Sequence, residues 1–469
     1  MADKIKNTPP ELIACIISAV VLSAGIFTIG VMNLFCTDAL YIDYSAAADT
    51  GSVIRGAAIF LCTAAAMFGM FKLSGLKHGI RALMAAALIL RLASAFFWEI
   101  EPESDFLITL NLSELLAENP VSQWAQLMDS EPTIYNTIWS AHMPFIVYQS
   151  LILRFIPLGA AGIRIVNAVI SWLSCLIISR CAKNLYGQPG ERFALTALGI
   201  NPTVIFFIPV LTNQHIALLM AAAAAGVYYS VRIKNGIVKA VLIGVFIALS
   251  QLMRPEMQIV MIAALLCLVV DIAVNKKPKM KIVRFLCGAA VCAAIIFSVN
   301  NALVSGGLVH RDIYSGNLKY KIVMGLNKES AGTWNEEDSM LIYDDEELED
   351  TLKERLNKPW RLVPMMFGKA AFQYGTYAYT WSFDRGHPWI SQNIMRRAGQ
   401  AVMIIVCAMA VYALVFRKRR ELMPVYFSLA GYICAYAVIE VQNRYNFLML
   451  PFIVLIACGA LKKKNTAQH

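Results

Sequence analysis

Long apolar segments recur along this chain and constrain its fold more than any other feature. Each is close to the 20 or so helical residues needed to cross the hydrocarbon core of a bilayer, about 30 Å thick. Of the 469 residues, 58% are hydrophobic and only 15% are charged, which is more apolar surface than a water-soluble fold can bury. The sequence therefore predicts an all-α, polytopic membrane helix bundle of about 12 transmembrane helices. The predicted spans are 12–35, 53–72, 79–99, 162–183, 193–209, 214–231, 237–253, 256–274, 282–303, 397–416, 422–440 and 444–461.

Basic residues indicate the side of the membrane on which each connection lies. They form short clusters between apolar segments, so the net charge of +10 reflects topology and does not indicate a nucleic-acid partner. By the positive-inside rule, these clusters and both termini face the cytoplasm of a multi-pass cell-membrane protein. The first apolar segment is too long for a cleaved signal peptide, so we expect it to remain as an anchor. The clusters are Lys4/Lys6, Lys72/Lys77/Arg81, Lys183/Arg192, Arg232/Lys234/Lys239, Lys276/Lys277/Lys279/Lys281, Arg417–Arg420 and Lys462–Lys464.

Residues 144–158 resemble a further span, but the charge pattern argues against a crossing. If they crossed, every later basic cluster, up to the C-terminal lysines, would lie outside the cell. The segment is also short, begins at Pro144 and contains Arg154. We therefore expect an interfacial helix on the outer surface, and a second one from Pro359 to Tyr374.

This topology divides the chain into four regions. Residues 1–78 form an N-terminal two-helix addition, and 79–303 form the membrane core, which includes a first outer loop at 100–161. Residues 304–396 form a second outer segment with its interfacial helix, and 397–469 form the C-terminal transmembrane helices and basic tail. Nearly all of the eleven cysteines lie in apolar runs, so we expect neither a disulfide framework nor a cysteine metal site.

A group of carboxylates marks the start of the first outer loop. Glu99, Glu101, Glu103 and Asp105 lie within seven residues, and no Lys or Arg occurs between Leu92 and Leu153. One interpretation is an ordinary solvated, negatively charged outer loop. The other is that one carboxylate, with Asp105 the leading candidate, is a catalytic base at the bilayer surface.

Four arginines depart from the positive-inside pattern by lying at or near the outer ends of spans. An arginine at mid-bilayer costs about 2.5–3.5 kcal/mol, and less near the interface. A guanidinium makes paired hydrogen bonds to phosphate, so these residues are candidate ligands for a lipid-linked phosphate. The alternative is internal ion pairing, for example Arg254 with Glu256 or Arg444 with Glu440. The four residues are Arg91, Arg164, Arg254 and Arg444.

The order of these features resembles that of the C-type (GT-C) membrane glycosyltransferases, and within them the protein O-mannosyltransferase and aminoarabinose transferase branch. The resemblance covers about residues 79–460. Two departures are the N-terminal helix pair and the acidic motif, which is Ser104-Asp105 where many relatives have an Asp-Glu pair. The shared features are the early carboxylate, the interfacial helix beginning at proline, Asn201-Pro202-Thr203, Leu211-Thr212-Asn213-Gln214-His215, Leu252-Met253-Arg254-Pro255-Glu256, and Glu440-Val441-Gln442-Asn443-Arg444-Tyr445 leading to Pro451.

The resemblance implies transfer of a sugar from a polyprenyl-phosphate donor to an acceptor on the outer face, with inversion at the anomeric carbon. The acceptor could be a lipid, a protein or a wall polymer. Asp105 would be the base, with Glu101 and Glu103 as alternatives, and arginines would stabilise the leaving phosphate. No cofactor is certain, although an acidic cluster beside phosphate is compatible with a divalent cation. The implied substrate-binding residues are Arg91, Arg164, Arg254, Glu256, Arg444, Tyr445, His142, Gln214 and His215.

Other functional classes stay open on the sequence. A polysaccharide polymerase or ligase would also use outer loops, but would take a lipid-diphosphate donor. A lipid or glycan transporter would require polar residues along a path through mid-membrane, whereas the ionisable residues here gather at the outer ends of spans. A receptor or scaffold would leave the outer arginines without a role.

Overall fold

The computed structural model describes residues 9–35, 50–119, 123–124, 139–274, 279–314, 318–377 and 392–461. These residues form helices and connecting turns, and no strand occurs among them. Nine of the helices in this described part are long and apolar enough to cross a membrane. The prediction of an all-α polytopic membrane bundle is therefore confirmed.

The helices are numbered here in chain order. In the N-terminal half they are α1 (Pro9–Phe35, with a π-helical turn at Gly25–Gly30), α2 (Thr50–Leu73), α3 (Gly79–Phe97), α4 (Asp105–Glu118), α5 (Met143–Phe155), α6 (Ala160–Tyr186), α7 (Gln188–Gly199), α8 (Pro202–Phe206), α9 (Gln214–Tyr228) and α10 (Gly236–Met253). In the C-terminal half they are α11 (Gln258–Val274), α12 (Lys279–Ser305), α13 (Leu318–Gly325), α14 (Glu336–Met340), α15 (Asp345–Leu356), α16 (Val363–Gly375), α17 (Gln392–Phe416), α18 (Met423–Val438) and α19 (Leu450–Ala457).

Nine of the twelve predicted spans match long helices, and the other three are shorter helices. The apolar run at 193–209 is divided because α7 ends at Gly199 and the five-residue α8 begins at Pro202. Proline lacks an amide hydrogen and disfavours helix at the preceding residue, so an apolar run containing it need not be one helix. The predicted spans at 214–231 and 444–461 correspond to the 15-residue α9 and to a 3-10 turn, Asn443–Leu448, followed by α19.

The membrane helices pack through small residues and a continuous apolar core. Helix α6 contacts α3, α7 and α9, and α10 contacts both α9 and α12. At the α10–α12 contact Gly244 faces the Gly288 backbone so closely that a Cβ would overlap it, as is common where membrane helices approach each other. The N-terminal helix α1 packs on α16, α17 and α18, so the predicted N-terminal addition contacts the C-terminal helices.

Several predicted cytoplasmic connections meet at one end of the bundle. Asp271 accepts from Arg420 at 3.0 Å and from Lys281 at 2.8 Å. Arg192 donates to the Ser74 hydroxyl at 3.0 Å, and Arg419 donates to the carbonyl of Leu185. Residues from four separate connections, with basic residues from three of them, therefore share this end. Lys4, Lys6, Lys276, Lys277 and Lys462–Lys464, like Cys36, lie outside the described residues.

Polar contacts fix both predicted outer segments, the first internally and the second against the bundle. In the first, Arg154 of α5 donates to the Ala117 carbonyl at 3.0 and 3.1 Å and so satisfies the C-terminal end of α4. In the second, the backbone N–H of Glu440 donates to the Lys321 carbonyl at 2.9 Å, and that of Val441 to the Gly332 carbonyl at 3.0 Å. These bonds hold the start of the second segment against the chain that follows α18.

Candidate functional site

Asp105 is the first residue of α4 and is exposed. The preceding Ser104 has a φ of 51°, a left-handed conformation that non-glycine residues rarely adopt. This turn separates the helix from the extended acidic stretch before it. A carboxylate in the first turn of a helix is stabilised in its ionised form by the helix dipole, which is the charge state that a general base requires.

Arg444 lies next to this helix start. Its guanidinium carbon is 4.6 Å from the centre of the Phe106 ring, so the arginine stacks on the residue after Asp105. Asp105 is close enough for its charge to interact with that of Arg444. Arg444 is buried, with 6% of the residue surface exposed. Asp105 and Arg444, which are far apart in the sequence, therefore lie near each other in the fold.

Arg254 supplies a second, partly buried cation on the same side. It is paired with Glu256, whose carboxylate oxygen lies 2.6 Å from the Arg254 Nε, and it donates to the Asn213 side chain at 3.1 Å. Glu256 also accepts from the Tyr436 hydroxyl at 3.0 Å. The ion pair considered as an alternative to phosphate binding is thus present, and it fixes the direction of Arg254.

Tyr445 connects the two arginines. Its ring centre is 5.2 Å from the Arg254 guanidinium and 5.6 Å from that of Arg444, and it stacks on Tyr436 at 5.4 Å. An aromatic face attracts a cation at these distances without neutralising it. Two positive groups are therefore held near each other, an arrangement that suits a ligand with more than one negative oxygen.

His142 lies at the same site, just before α5. The charges of Asp105, Arg254 and Glu256 all act on it. Burial lowers the pKa of His142 to about 4, although the neighbouring carboxylates oppose this shift. The imidazole is consequently neutral at neutral pH and contributes hydrogen bonding in place of charge.

The sequence prediction missed Lys321 and the arrangement around Glu440. Lys321 forms an ion pair with Glu440, whose side chain is 1% exposed, and its ammonium is 4.9 Å from the Trp139 ring centre. Its charge also acts on His142 and Tyr445. Lys321 belongs to the second outer segment, and a basic residue on the predicted outer side was the signal that could have identified it.

Two of the predicted arginines make intramolecular contacts elsewhere in the bundle, and their predicted role in substrate binding stays a prediction. Arg91 is fully buried and donates to the carbonyls of Leu198 and Gly199 at 2.8 and 2.6 Å, and to the Ser171 hydroxyl at 3.1 Å. It therefore closes the C-terminal end of α7, where a cation is favoured. Arg164 forms an ion pair at 3.0 Å with Glu99, the first of the four carboxylates at the start of the first outer loop.

Gln214 and His215 support the site from inside the bundle. The Gln214 amide donates to the Arg444 carbonyl at 2.7 Å and so holds the backbone of that residue. His215 contacts the Phe207 carbonyl at 3.1 Å and packs between the rings of Phe207 and Phe447. Both residues are buried.

The remaining acidic candidates lie beside Asp105. Glu101 and Glu103 are exposed in the extended stretch before α4, and the Glu103 carbonyl accepts from the Phe106 amide at 3.1 Å. Within the described ranges, no group of three or more His, Cys, Asp or Glu side chains is arranged to hold a metal ion.

Sequence comparison identifies a family for part of the chain. The family model described as dolichyl-phosphate-mannose-protein mannosyltransferase matches residues 143–301, from the start of α5 into α12. Neither a curated protein nor a solved structure matches the chain. The matched region includes Arg254, Glu256 and Gln214.

The all-helical membrane bundle and this match together support a similarity to the membrane glycosyltransferases of the C type. More narrowly, the match supports assignment to the mannosyltransferase-like branch of that superfamily. The resemblance predicted from the sequence is thereby confirmed.

Proposed function

We propose that this protein transfers a sugar from a polyprenyl-phosphate donor to an acceptor on the outer face of the membrane, with inversion at the anomeric carbon. The observation that carries the proposal is that Arg254 and Arg444 both lie against the ring of Tyr445, while Arg444 stacks on Phe106, the residue after Asp105. One carboxylate and two converging cations are the groups that this reaction requires. The donor's lipid tail would stay in the bilayer.

Asp105 acts as general base in this mechanism. Its carboxylate accepts the proton of the acceptor hydroxyl while the hydroxyl oxygen attacks the anomeric carbon. The bond from that carbon to the phosphate oxygen breaks as the new glycosidic bond forms. Because a single displacement occurs at the face opposite the leaving group, the anomeric configuration inverts.

Arg444 and Arg254 stabilise the leaving lipid phosphate. As the anomeric bond breaks, negative charge accumulates on the phosphate oxygens, and fixed cations in a partly desolvated site stabilise it without reorganising. Tyr445 keeps both guanidinium groups near each other by cation–π contact. Glu256 orients Arg254 but also offsets its charge, so we assign Arg444 the larger share of donor binding.

The test is a transfer assay with a radiolabelled polyprenyl-phosphate sugar and membranes that contain the native acceptor. Asp105→Asn is expected to bind donor normally and to lose transfer by about 10²-fold or more, since general-base catalysis contributes 10²–10⁴. Arg444→Ala is expected to weaken donor binding by about tenfold or more, the equivalent of about 1.4 kcal/mol.

Matched variants separate these effects from general loss of charge. Glu101→Gln and Glu103→Gln remove neighbouring carboxylates, and the exposed Asp350→Asn on α15 is a remote control that should retain activity. Full transfer by Asp105→Asn would overturn its role as base, and a loss confined to Glu103→Gln would move that role to Glu103. For Arg444→Ala the control is the exposed Arg361→Ala.

A further inference from the structure

A chain of polar side chains runs from the second outer segment to Arg444. Lys321 of α13 forms an ion pair with Glu440. The Gln442 amide nitrogen donates to the Glu440 carboxylate at 2.9 Å, and the Gln442 carbonyl oxygen accepts from the Arg444 Nε at 2.8 Å. Lys321 and Glu440 are 119 positions apart, so this connection exists only in the folded protein.

Each link in the chain fixes the direction of the next. The Glu440 side chain is 1% exposed, and a buried carboxylate is maintained only with charged or hydrogen-bonding partners. Lys321 supplies the charge. Burial lowers the pKa of this lysine, but the charge of Glu440, the hydrogen bond to it and the neighbouring tyrosines together raise the pKa above its ordinary value. A carboxylate accepts but cannot donate, so the Gln442 amide must turn its nitrogen to Glu440 and its oxygen to Arg444.

We propose that Lys321, Glu440 and Gln442 are positioning residues that align the Arg444 guanidinium for the donor phosphate. This proposal rests on the proposed function, because it takes Arg444 to be a phosphate ligand. In this relay of Lys321, Glu440 and Gln442, the Gln442 side chain holds the Nε edge of the guanidinium, and the ring of Phe106 supports its face. The second outer segment thereby contributes to donor binding through Lys321, although its helix α13 carries no residue proposed to contact the donor.

The experiment measures the Kd of purified protein for a radiolabelled, sugar-free polyprenyl phosphate, so its readout does not depend on transfer or on the acceptor. The variants are Gln442→Leu, Arg444→Ala and the double variant. Gln442→Leu is expected to weaken binding about tenfold, because the Arg444 guanidinium loses a charge-assisted hydrogen bond that fixes its direction. In the Arg444→Ala background the same substitution should have no further effect, because its action passes through Arg444.

The control is Gln188→Leu, the same substitution at an exposed position that begins α7 at the other end of the bundle. A merely structural role for Gln442 would weaken binding equally in both backgrounds, and that additivity would overturn the relay. The relay would also be overturned by wild-type affinity in Gln442→Leu or in Arg444→Ala. If the wild-type protein does not bind the lipid phosphate, the proposed donor is wrong as well. Active Asp105→Asn would overturn only the assignment of the base.

Discussion

At the scale of single residues, burial at the site determines which groups carry charge. His142 is held among Asp105, Glu256, Arg254 and Lys321, and the cost of desolvating an imidazolium outweighs the two carboxylates. The site therefore contains three buried or half-buried cations and a neutral histidine. This distribution leaves the positive charge on side chains that are always ionised at neutral pH, which suits a site for phosphate.

The His142 pKa of about 4 predicts acid sensitivity. Because this value is below the unfolded value of about 6.5, the unfolded state binds more protons between these two values. The free energy of unfolding should therefore fall as the pH decreases through this window. We expect the thermal midpoint of the detergent-purified protein to fall between about pH 7 and pH 5, and to fall less in His142→Gln. An equal decrease in both proteins would contradict this assignment.

The sequence predicted the types of site residue better than their grouping. Arg254 and Arg444 stood out because they broke the positive-inside pattern, and they do lie together. Arg91 broke the pattern in the same way, but it binds backbone carbonyls at a helix end. Lys321 escaped notice, and Glu440 was considered as a partner for Arg444 although it pairs with Lys321. That pairing joins two distant segments, and no local spacing encodes such a contact.

At the scale of elements, Lys369 of α16 connects this helix to the beginning of the second outer segment and to the chain after α18. The Lys369 ammonium donates to the carbonyls of Gly325 and Ile439, the latter at 2.8 Å, and the residue is 3% exposed. Gly325 is required beside it, because a Cβ there would overlap the backbone of Val438 and Ile439. Lys369 thus joins α13, α16 and the end of α18.

We expect Lys369→Met to loosen this junction. Both carbonyls would lose a donor, and an unsatisfied buried acceptor costs about 1–3 kcal/mol. The variant should show a lower thermal midpoint and faster cleavage of residues 318–377 by a protease that does not cut at lysine. The matched control is Lys328→Met, an exposed lysine of the same segment. Unchanged cleavage in Lys369→Met would show that the junction does not depend on this side chain.

The helices themselves were largely predictable, because a bilayer selects apolar runs of sufficient length. The ends of the three shorter helices were not predictable, because hydropathy does not indicate where a helix stops inside an apolar run. Asn201 caps α8 by accepting from the Thr203 amide at 3.0 Å, so a single polar residue and Pro202 restart the helix. The predicted interfacial positions of α5 and α16 remain predictions, as do the four domain boundaries.

At the scale of the whole molecule, the basic connections and the candidate site lie at opposite ends of the bundle. The basic connections meet around Asp271 and Arg419, whereas the candidate site forms where α4, α5, α10 and the segment after α18 come together. A reaction site at the end opposite the basic connections would face away from the cytoplasm. This orientation follows from the positive-inside rule and can be tested directly.

We expect single cysteines at the two ends to differ in labelling by a membrane-impermeant maleimide. Glu337→Cys, exposed on α14 of the second outer segment, should be labelled in intact cells. Lys234→Cys, exposed in the basic connection between α9 and α10, should be labelled only after the membrane is permeabilised. The unsubstituted protein measures the background from its native cysteines. The reverse pattern would show that the bundle is inverted and that the site lies inside the cell. Labelling of both positions in intact cells would contradict the predicted number of membrane crossings between them.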